Sequence, residues 1–303
     1  MFPKNLVFFR FPRAVDFSEV DKLLPLDALQ PVGKMEMASR GFISPFGYEN
    51  KDQLSHRIGD ALWLTIGTEE KILPGAVVND KLAAKIEQIE QQQGRKPGGR
   101  ERKRLKEELL QELLVHAFVK RSRIDAFLDL QHGFVAVDTS SRTAAENVMS
   151  DIRGLLGSFP AQRLNAEVAP RAVLTTWIRG GADMPYGLYL GEEAELRDPV
   201  EGGAKVHCTD QDLHSDEIER HLDAGKQVTR LALVFEDNLS FVLGDDLVVR
   251  KLKFLDGAID QLEHIDDEDC RAELDARFAL ISGELRRLFL LLEQALKLSK
   301  VEN

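Results

Sequence analysis

Between residues 77 and 117 the apolar side chains recur every three or four positions, which is the period of an α-helix. The first part of this pattern predicts a helix over residues 77–93. The second part, in which leucines recur every four residues from Leu105, predicts another. Residues 94–99 contain Pro97 and three glycines and interrupt the pattern. The sequence therefore predicts two helices of ~15 residues, each ~22 Å long, joined as a helical hairpin.

The segments on both sides of this hairpin have the composition of β-strands. Short runs rich in Val, Ile, Phe and Thr predict strands in KNLVFFRF, ALWLTIGTEEKILP, RIDAFLDL and GFVAVDT. The run QVTRLALVFEDNLSFVLGDDLVVRKLKF predicts three antiparallel strands with turns at residues 237–238 and 245–246. Short strands are expected in residues 180–207. The predicted class is α+β, with antiparallel sheets, helices and a projecting helical hairpin arm.

Helices are also predicted outside the hairpin. A helix is expected over residues 142–156, with its N-cap among residues 139–141, and another is expected after Ser215, ending at Gly225. A helix interrupted at Pro25 is expected over residues 16–29, and a long helical tail is expected to begin near Ile259.

The charge of the chain is unevenly distributed. The formal net charge is -11, yet residues 81–123 hold twelve Lys and Arg against six Glu, so this window is +6 and the remainder is -17. A basic segment in an acidic protein indicates a polyanionic partner, and a solvated helix surface is the alternative. The candidate DNA-binding residues of this segment are Lys81, Lys85, Arg95, Lys96, Arg100, Arg102, Lys103, Arg104, Lys106, Lys120 and Arg121.

A second set of basic residues flanks the three predicted strands. Its members are Lys226, Arg230, Arg250, Lys251 and Lys253. They would extend a positive surface, or they are solvated residues that discourage pairing at strand edges.

No enzyme motif stands out in the sequence. It contains no GxxxxGK[ST], HExxH or CxxC pattern. His214 and His221 are seven residues apart, which is a poor spacing for a helical metal pair. The neighbours His207 and Cys208 would point to opposite faces of a strand. No catalytic residue, metal site or cofactor is predicted.

Two acidic groups are the remaining candidates for a cation site. Residues 266–269 form an acidic run that is typical of a helix N-terminus. Asp245 and Asp246 fit a turn better than the paired carboxylates of a metal-dependent nuclease. The two cysteines, Cys208 and Cys270, lie far apart in sequence and predict a reducing, cytoplasmic location. The C-terminal segment LFLLLEQALKL is too short and too charged to span a membrane.

Several stretches together carry a family resemblance. The segments KNLVFFRF, EEKILP, HAFVKRS, LTTWIRG, HLDAGKQVTRLAL and RKLKF occur in this order over nearly the whole chain, which thereby resembles the RdgC family of recombination-associated bacterial proteins. The resemblance implies a non-enzymatic protein that binds duplex DNA with little sequence preference. It implies a two-fold dimer closed into a ring around DNA, and antagonism of the RecA recombinase by occupying its DNA. Single-stranded DNA is a further expected ligand, and the expected location is the nucleoid.

Three domains are predicted from the helical hairpin and from a boundary marked by Gly157, Pro160 and Pro170. These are a central α+β domain of residues 1–74 and 120–165, a hairpin tip of residues 75–119, and an α+β base of residues 166–303. Phe118 matches the aromatic residue that closes the ring between the tips, and a core position within its own hairpin is the alternative. Two other functions stay open: a protein-interaction scaffold with a basic arm, and a metal-dependent nuclease.

Overall fold

The computed structural model describes residues 2–180, 184–200, 202–260 and 270–300, and in these residues the fold is α+β with a large antiparallel sheet. The strands are β1 (Leu6–Arg10), β2 (Ala38–Ile43), β3 (Ser55–Ile58), β4 (Ala61–Ile72), β5 (Phe118–Asp129), β6 (Phe134–Asp138), β7 (Gln162–Arg163), β8 (Leu188–Arg197), β9 (Lys205–Cys208), β10 (Gln227–Phe235), β11 (Leu239–Gly244) and β12 (Val249–Phe254). The helices are α1 (Val20–Leu23), α2 (Gly75–Gln93), α3 (Gly99–Leu114), α4 (Arg142–Leu156), α5 (Pro170–Ile178), α6 (Asp216–Asp223), α7 (Asp256–Ile259) and α8 (Cys270–Leu296).

The chain divides into two compact units. Unit 1 comprises Met1–Leu23, Ser55–Leu64 and Ile124–Asn303, and unit 2 comprises Leu24–Leu54 and Thr65–Arg123. Strands β4 and β5 contribute residues to both. These limits differ from the three domains predicted from the sequence pattern, and that division stays a prediction.

The sheet of unit 1 is built around its most apolar strand. The strand order is β5-β6-β1-β12-β11-β10-β8-β9, with every pair antiparallel. All five residues of β1 are buried, since Leu-Val-Phe-Phe can fill both faces of a central strand. Strand β6 pairs with β1 from Leu6 opposite Asp138 to Arg10 opposite Phe134.

Helix α8 covers the core of unit 1. Phe289 is buried and its ring stacks on Phe134 at a centroid distance of 4.2 Å. Two ion pairs fix the helix against the sheet, Arg10 with Glu293 and Arg286 with Asp129. Burying an aromatic side chain of this size contributes about 2–3 kcal/mol.

The three-stranded segment is confirmed as β10, β11 and β12, with turns at the predicted positions. One residue departs from regular pairing. Lys251 has a positive φ of 52° and lies at an irregularity between Arg250 and Lys253, whose partners are Val242 and Ser240. This bulge changes the alternation of inward and outward side chains along β12.

Two other sequence predictions for unit 1 have different outcomes. The helix over residues 142–156 is confirmed, and its N-cap is Ser141, whose hydroxyl accepts from the Ala144 N–H. The short strands expected in residues 180–207 are wrong in part, because β8 is ten residues long. Its pairing with β10 along most of its length stabilises a strand whose glycine and glutamates give little local signal.

The helical segments at the two ends of the sequence also differ from expectation. The helix expected over residues 16–29 is α1 followed by a 3-10 turn (Leu24–Asp27). The predicted helical tail is α7 and α8, and the acidic run at residues 266–269 lies outside the described residues. Cys270 begins α8, and its side chain also lies outside them.

Unit 2 contains the predicted pair of helices. Helix α2 ends at Gln93, the C-cap Gly94 with a φ of 64° closes its last turn, and α3 begins at Gly99. The ion pair between Lys85 and Glu112, 3.1 Å apart, joins the two helices and fixes them as antiparallel neighbours. Strand β2 pairs with the part of β4 that lies in unit 2.

Candidate nucleic-acid interface

The exposed face of α3 carries three cations without carboxylate partners. Leu105 and Leu109 are buried and define the inner face of the helix. Arg100, Lys103 and Lys106 are exposed at intervals of three residues, so they form one row along the helix surface. None of the three makes an ion pair with any residue that the structure describes. Their charges are therefore available to a polyanion.

Other cations of the hairpin are already paired with glutamates. The Arg95 guanidinium donates to both oxygens of Glu101 at 2.8 and 3.2 Å, which raises the pKa of Arg95 and lowers that of Glu101. The remaining pairs are Lys85 with Glu112, Lys96 with Glu90, and Arg104 with Glu108. Exposed pairs of this kind exchange partners at little cost, so they can still contact phosphates.

Two further hairpin residues differ in their bonding. The Arg102 guanidinium donates to the Pro97 carbonyl at 3.0 Å and closes the turn between the helices. Lys81, on α2, is exposed and unpaired in the part of the chain that the structure describes. Arg102 is thus engaged in holding the turn, whereas Lys81 is available.

Strand β5 contributes Lys120 and Arg121, and both are exposed. Arg121 pairs with the buried Glu69 at 3.0 Å, and its guanidinium lies over the ring of Tyr48 at 5.2 Å. Burial raises the pKa of Tyr48, and the charges of Arg121 and Arg123 oppose this rise. No sequence pattern indicates that Tyr48 lies beside Arg121, because the two residues are far apart along the chain.

The second set of predicted cations belongs to unit 1. Lys251 and Lys253 line the same groove, and Lys251 pairs with Glu193 at 2.6 Å. Lys226 and Lys253 make no ion pair with a described residue. Arg230 lies 3.5 Å from Glu195.

Arg250 has a structural role in unit 1. Its guanidinium donates to both oxygens of Asp246 at 2.9 and 2.7 Å. Burial tends to raise the pKa of Asp246, but the hydrogen bonds and charge of Arg250, with the charge of Arg142, hold that pKa below its ordinary value. Asp245 is in turn bound by Arg171 at 2.6 Å. Both carboxylates proposed as a possible nuclease pair are therefore held by arginines.

Phe118 is the most exposed phenylalanine on the surface of unit 2. It is the first residue of β5 rather than part of α3, and 84% of its surface is accessible. Val115 and Val119 beside it are also exposed. The alternative of a core aromatic within the hairpin is wrong, since this ring packs into no core of the described chain.

The histidine and cysteine candidates do not form a reactive group. Cys208 is buried, and burial followed by the charge of Glu217 raises the pKa of its thiol. His207, next to it on β9, is exposed and lies 3.7 Å from Glu193, so the two side chains point apart as predicted. Among the described residues no group of three His, Cys, Asp or Glu side chains could hold a metal ion.

Comparison with known proteins identifies the family. The family model described as "Putative exonuclease, RdgC" matches residues 1–299. The chain is 70% identical to the recombination-associated protein RdgC of Stenotrophomonas maltophilia. It is 68% identical to that of Xanthomonas campestris pv. campestris and 67% identical to that of Xanthomonas oryzae pv. oryzae. Each of these matches covers 100% of both chains.

The chain belongs to the RdgC family. The resemblance carried by the quoted segments is thereby confirmed. RdgC relatives are named for an association with recombination and not for an enzymatic activity, although the family model's description mentions an exonuclease. In the described ranges no helix is long and apolar enough to cross a membrane.

Proposed function

We propose that this RdgC-family chain is a sequence-nonspecific DNA-binding protein that encircles duplex DNA as a dimeric ring. It limits RecA-mediated recombination by occupying DNA, has no enzymatic activity of its own, and acts in the cytoplasm at the nucleoid. The observation that carries the proposal is the row of unpaired cations on α3, formed by Arg100, Lys103 and Lys106.

The chemistry of this row favours phosphate contact over base readout. Lysine and arginine at regular spacing neutralise successive phosphates and give affinity without sequence information. The remaining chain, at -17, would repel further DNA and leave binding to the basic surface. The cations of unit 1, among them Lys226 and Lys253, are proposed as a separate phosphate-binding surface of that unit.

Exposed apolar residues support the dimeric part of the proposal. A two-fold ring needs two self-complementary contacts. Phe118, with Val115 and Val119, offers one patch whose burial in a partner would remove an exposed aromatic ring from water. The hairpin of α2 and α3 would form the arm that brings this patch to its counterpart, and the base contact is assigned to residues 166–303.

A retention experiment tests encirclement. The protein is bound to a nicked circular plasmid and to the same plasmid cut once, and both complexes are washed at high salt. A ring should stay on the circle and slide from the cut ends, so DNA-bound protein should be higher on the circle. Equal loss of protein from the circular and the linear plasmid would refute encirclement. The lack of sequence preference is tested in the same assay by comparing two unrelated duplexes, which should bind equally.

A second candidate function rests on the family model's description. An exonuclease would shorten an end-labelled duplex in the presence of Mg²⁺ or Mn²⁺. We expect the label to stay at full length. Progressive shortening that copurifies with the chain would replace the ring proposal by a catalytic one.

A scaffold function would instead be indicated if an acidic protein displaced the chain from DNA more effectively than unrelated duplexes did.

A further inference from the structure

A groove at the free edge of β8 has the opposite charge to the proposed DNA surface. Strand β9 pairs with β8 only from Ala194 to Arg197, so residues 188–190, which pair with β10 on one side, have no other strand of the described chain on the other. Beyond them, the Glu192 carbonyl accepts from the Gln211 N–H at 3.3 Å. A cavity of about 590 Å³ lies along this edge. It is lined by Leu188, Leu190, the C-terminal end of α5 and the loop of residues 210–214.

One residue that lines the cavity carries a buried donor without an acceptor. Trp177 lines it, is 2% exposed, and its indole Nε1 has no hydrogen-bond partner. A buried N–H that is left unpaired is costly, so such a group indicates a missing acceptor. A backbone carbonyl entering along the strand edge is an acceptor of suitable size and polarity.

The rim of the cavity is acidic and lacks compensating cations. Glu192, Asp210 and Asp212 line it, and no Lys or Arg is among its described lining residues. Glu192 and Asp210 form no ion pair with a described residue. The Asp212 carboxylate accepts the backbone N–H of His214, at 2.9 Å. These carboxylates favour a cationic occupant and repel DNA phosphates.

The acidic lining without cations is confined to this first cavity. A second cavity of about 640 Å³ shares Leu190, Glu192 and Asp210 with it but is also lined by Lys251 and Lys253, which belong to the proposed DNA-binding residues. Tyr189 lines the first cavity and not the second and is 59% exposed, so its ring can pack against the stem of a long cationic side chain. An occupant that follows the free edge of β8 is extended rather than compact.

We infer that the free edge of β8 binds an extended, lysine- or arginine-rich segment of a partner protein. The segment pairs with β8 as an added strand, and one of its carbonyls accepts from the Trp177 indole. Its cationic side chains contact Glu192, Asp210 and Asp212. This site is independent of DNA binding and gives the chain a means of direct protein contact.

The indole resonances of the ¹⁵N-labelled full-length protein provide the test. The chain has two tryptophans, and Trp63 donates to Asp125 at 3.1 Å, whereas Trp177 has no partner. The probe is an acetylated nonapeptide of alternating lysine and serine, and the comparison peptide replaces lysine by glutamate. We expect the Trp177 resonance to shift with the lysine peptide alone and the Trp63 resonance to stay in place.

Two variants separate what the Trp177 indole and the acidic side chains each contribute to peptide binding. Trp177→Phe keeps an aromatic ring and removes the donor, and we expect it to weaken peptide binding by about fivefold, the effect of one hydrogen bond. The double variant D210N/D212N should weaken it by about tenfold, and asparagine tolerates the positive φ of 54° at residue 210. The control E49Q/D52N removes the same two charges from unit 2 and should bind the peptide as the wild type does.

Three outcomes would overturn the inference. Equal shifts with both peptides would mean that the groove does not recognise cationic side chains. Saturation by spermidine at the same concentration as the peptide would indicate a small-cation site. A lower sedimentation mass for D210N/D212N, with no effect of the peptide on Trp177, would show that a second copy of the chain covers this edge.

Discussion

Neutralising the row of cations on α3 should change the salt dependence of DNA binding by a predictable amount. The variant R100Q/K103Q/K106Q replaces three unpaired, exposed cations by residues with similar helix propensity. Each phosphate contact contributes a slope of about -0.9 to a plot of log affinity against log salt. Loss of three contacts should therefore reduce the slope by about 2.7, or by about 5.4 if both protomers of a ring contact one duplex.

The slope has a large effect on affinity in a practical range. Between 50 and 200 mM salt, a slope difference of about 2.7 changes the affinity ratio of wild type to variant roughly 40-fold. Fluorescence anisotropy of a labelled duplex of random sequence over this range measures it directly. The control K4Q/K22Q/K51Q removes three lysines that are not in the hairpin and lowers the net charge equally.

Two results would refute the reasoning. A slope unchanged by R100Q/K103Q/K106Q would remove α3 from the DNA surface. An equal reduction by the control variant would mean that the total charge, rather than this row, governs binding. Circular dichroism should show the same melting temperature for all three proteins, because exposed substitutions of this type change stability by less than about 0.5 kcal/mol.

Three further predictions concern other contacts. Phe118→Ser should lower the dimer fraction measured by analytical ultracentrifugation. Because the ring is exposed, the free energy of unfolding should change by less than about 0.5 kcal/mol. A loss of several kcal/mol would contradict the role of Phe118 as a dimer contact. Phe289→Ala should cost about 3–5 kcal/mol in urea unfolding, because it leaves a cavity beneath Phe134; a cost below about 1 kcal/mol would contradict the described packing. Asp246→Asn should cost about 1–3 kcal/mol at pH 7 by weakening the hydrogen bonds from Arg250. Because the folded-state pKa of Asp246 is lowered, the difference in unfolding free energy between wild type and variant should be present above the ordinary carboxyl pKa of about 4 and should shrink as the pH falls below it. A difference that grows as the pH falls would contradict the ion pair between Asp246 and Arg250.

The elements that could be predicted are those whose signal is local. Helices α2 and α3 show a helical period and a glycine at the break, and β10 to β12 alternate between turns. The length of β8 could not be predicted, because its stability comes from β10, some forty residues later. The bulge at Lys251 has no local signature either, since lysine rarely adopts a positive φ.

For the candidate site, the sequence identified the basic segment but not which of its cations are unpaired. Lys103 and Arg104 each have a glutamate four residues ahead, Glu107 and Glu108, yet only Arg104 forms the ion pair, at 3.3 Å. Arg250 looked like a surface cation and instead holds a turn through Asp246. The buried donor of Trp177 was invisible from the sequence, since a missing acceptor is a property of three-dimensional packing.

The central position of β1 has a consequence for synthesis of the chain. This strand leaves the ribosome first, but its partner β6 begins at Phe134 and its other neighbour β12 begins at Val249. At a translation rate of about 5–20 residues per second, β6 is synthesised roughly 6–26 s after β1, and β12 is synthesised roughly 12–50 s after it. During that interval the segment Leu-Val-Phe-Phe is an unpaired apolar strand, and unpaired strands of this kind associate with one another. Production of the folded protein should therefore depend on chaperones that shield β1 until β6 and β12 have emerged.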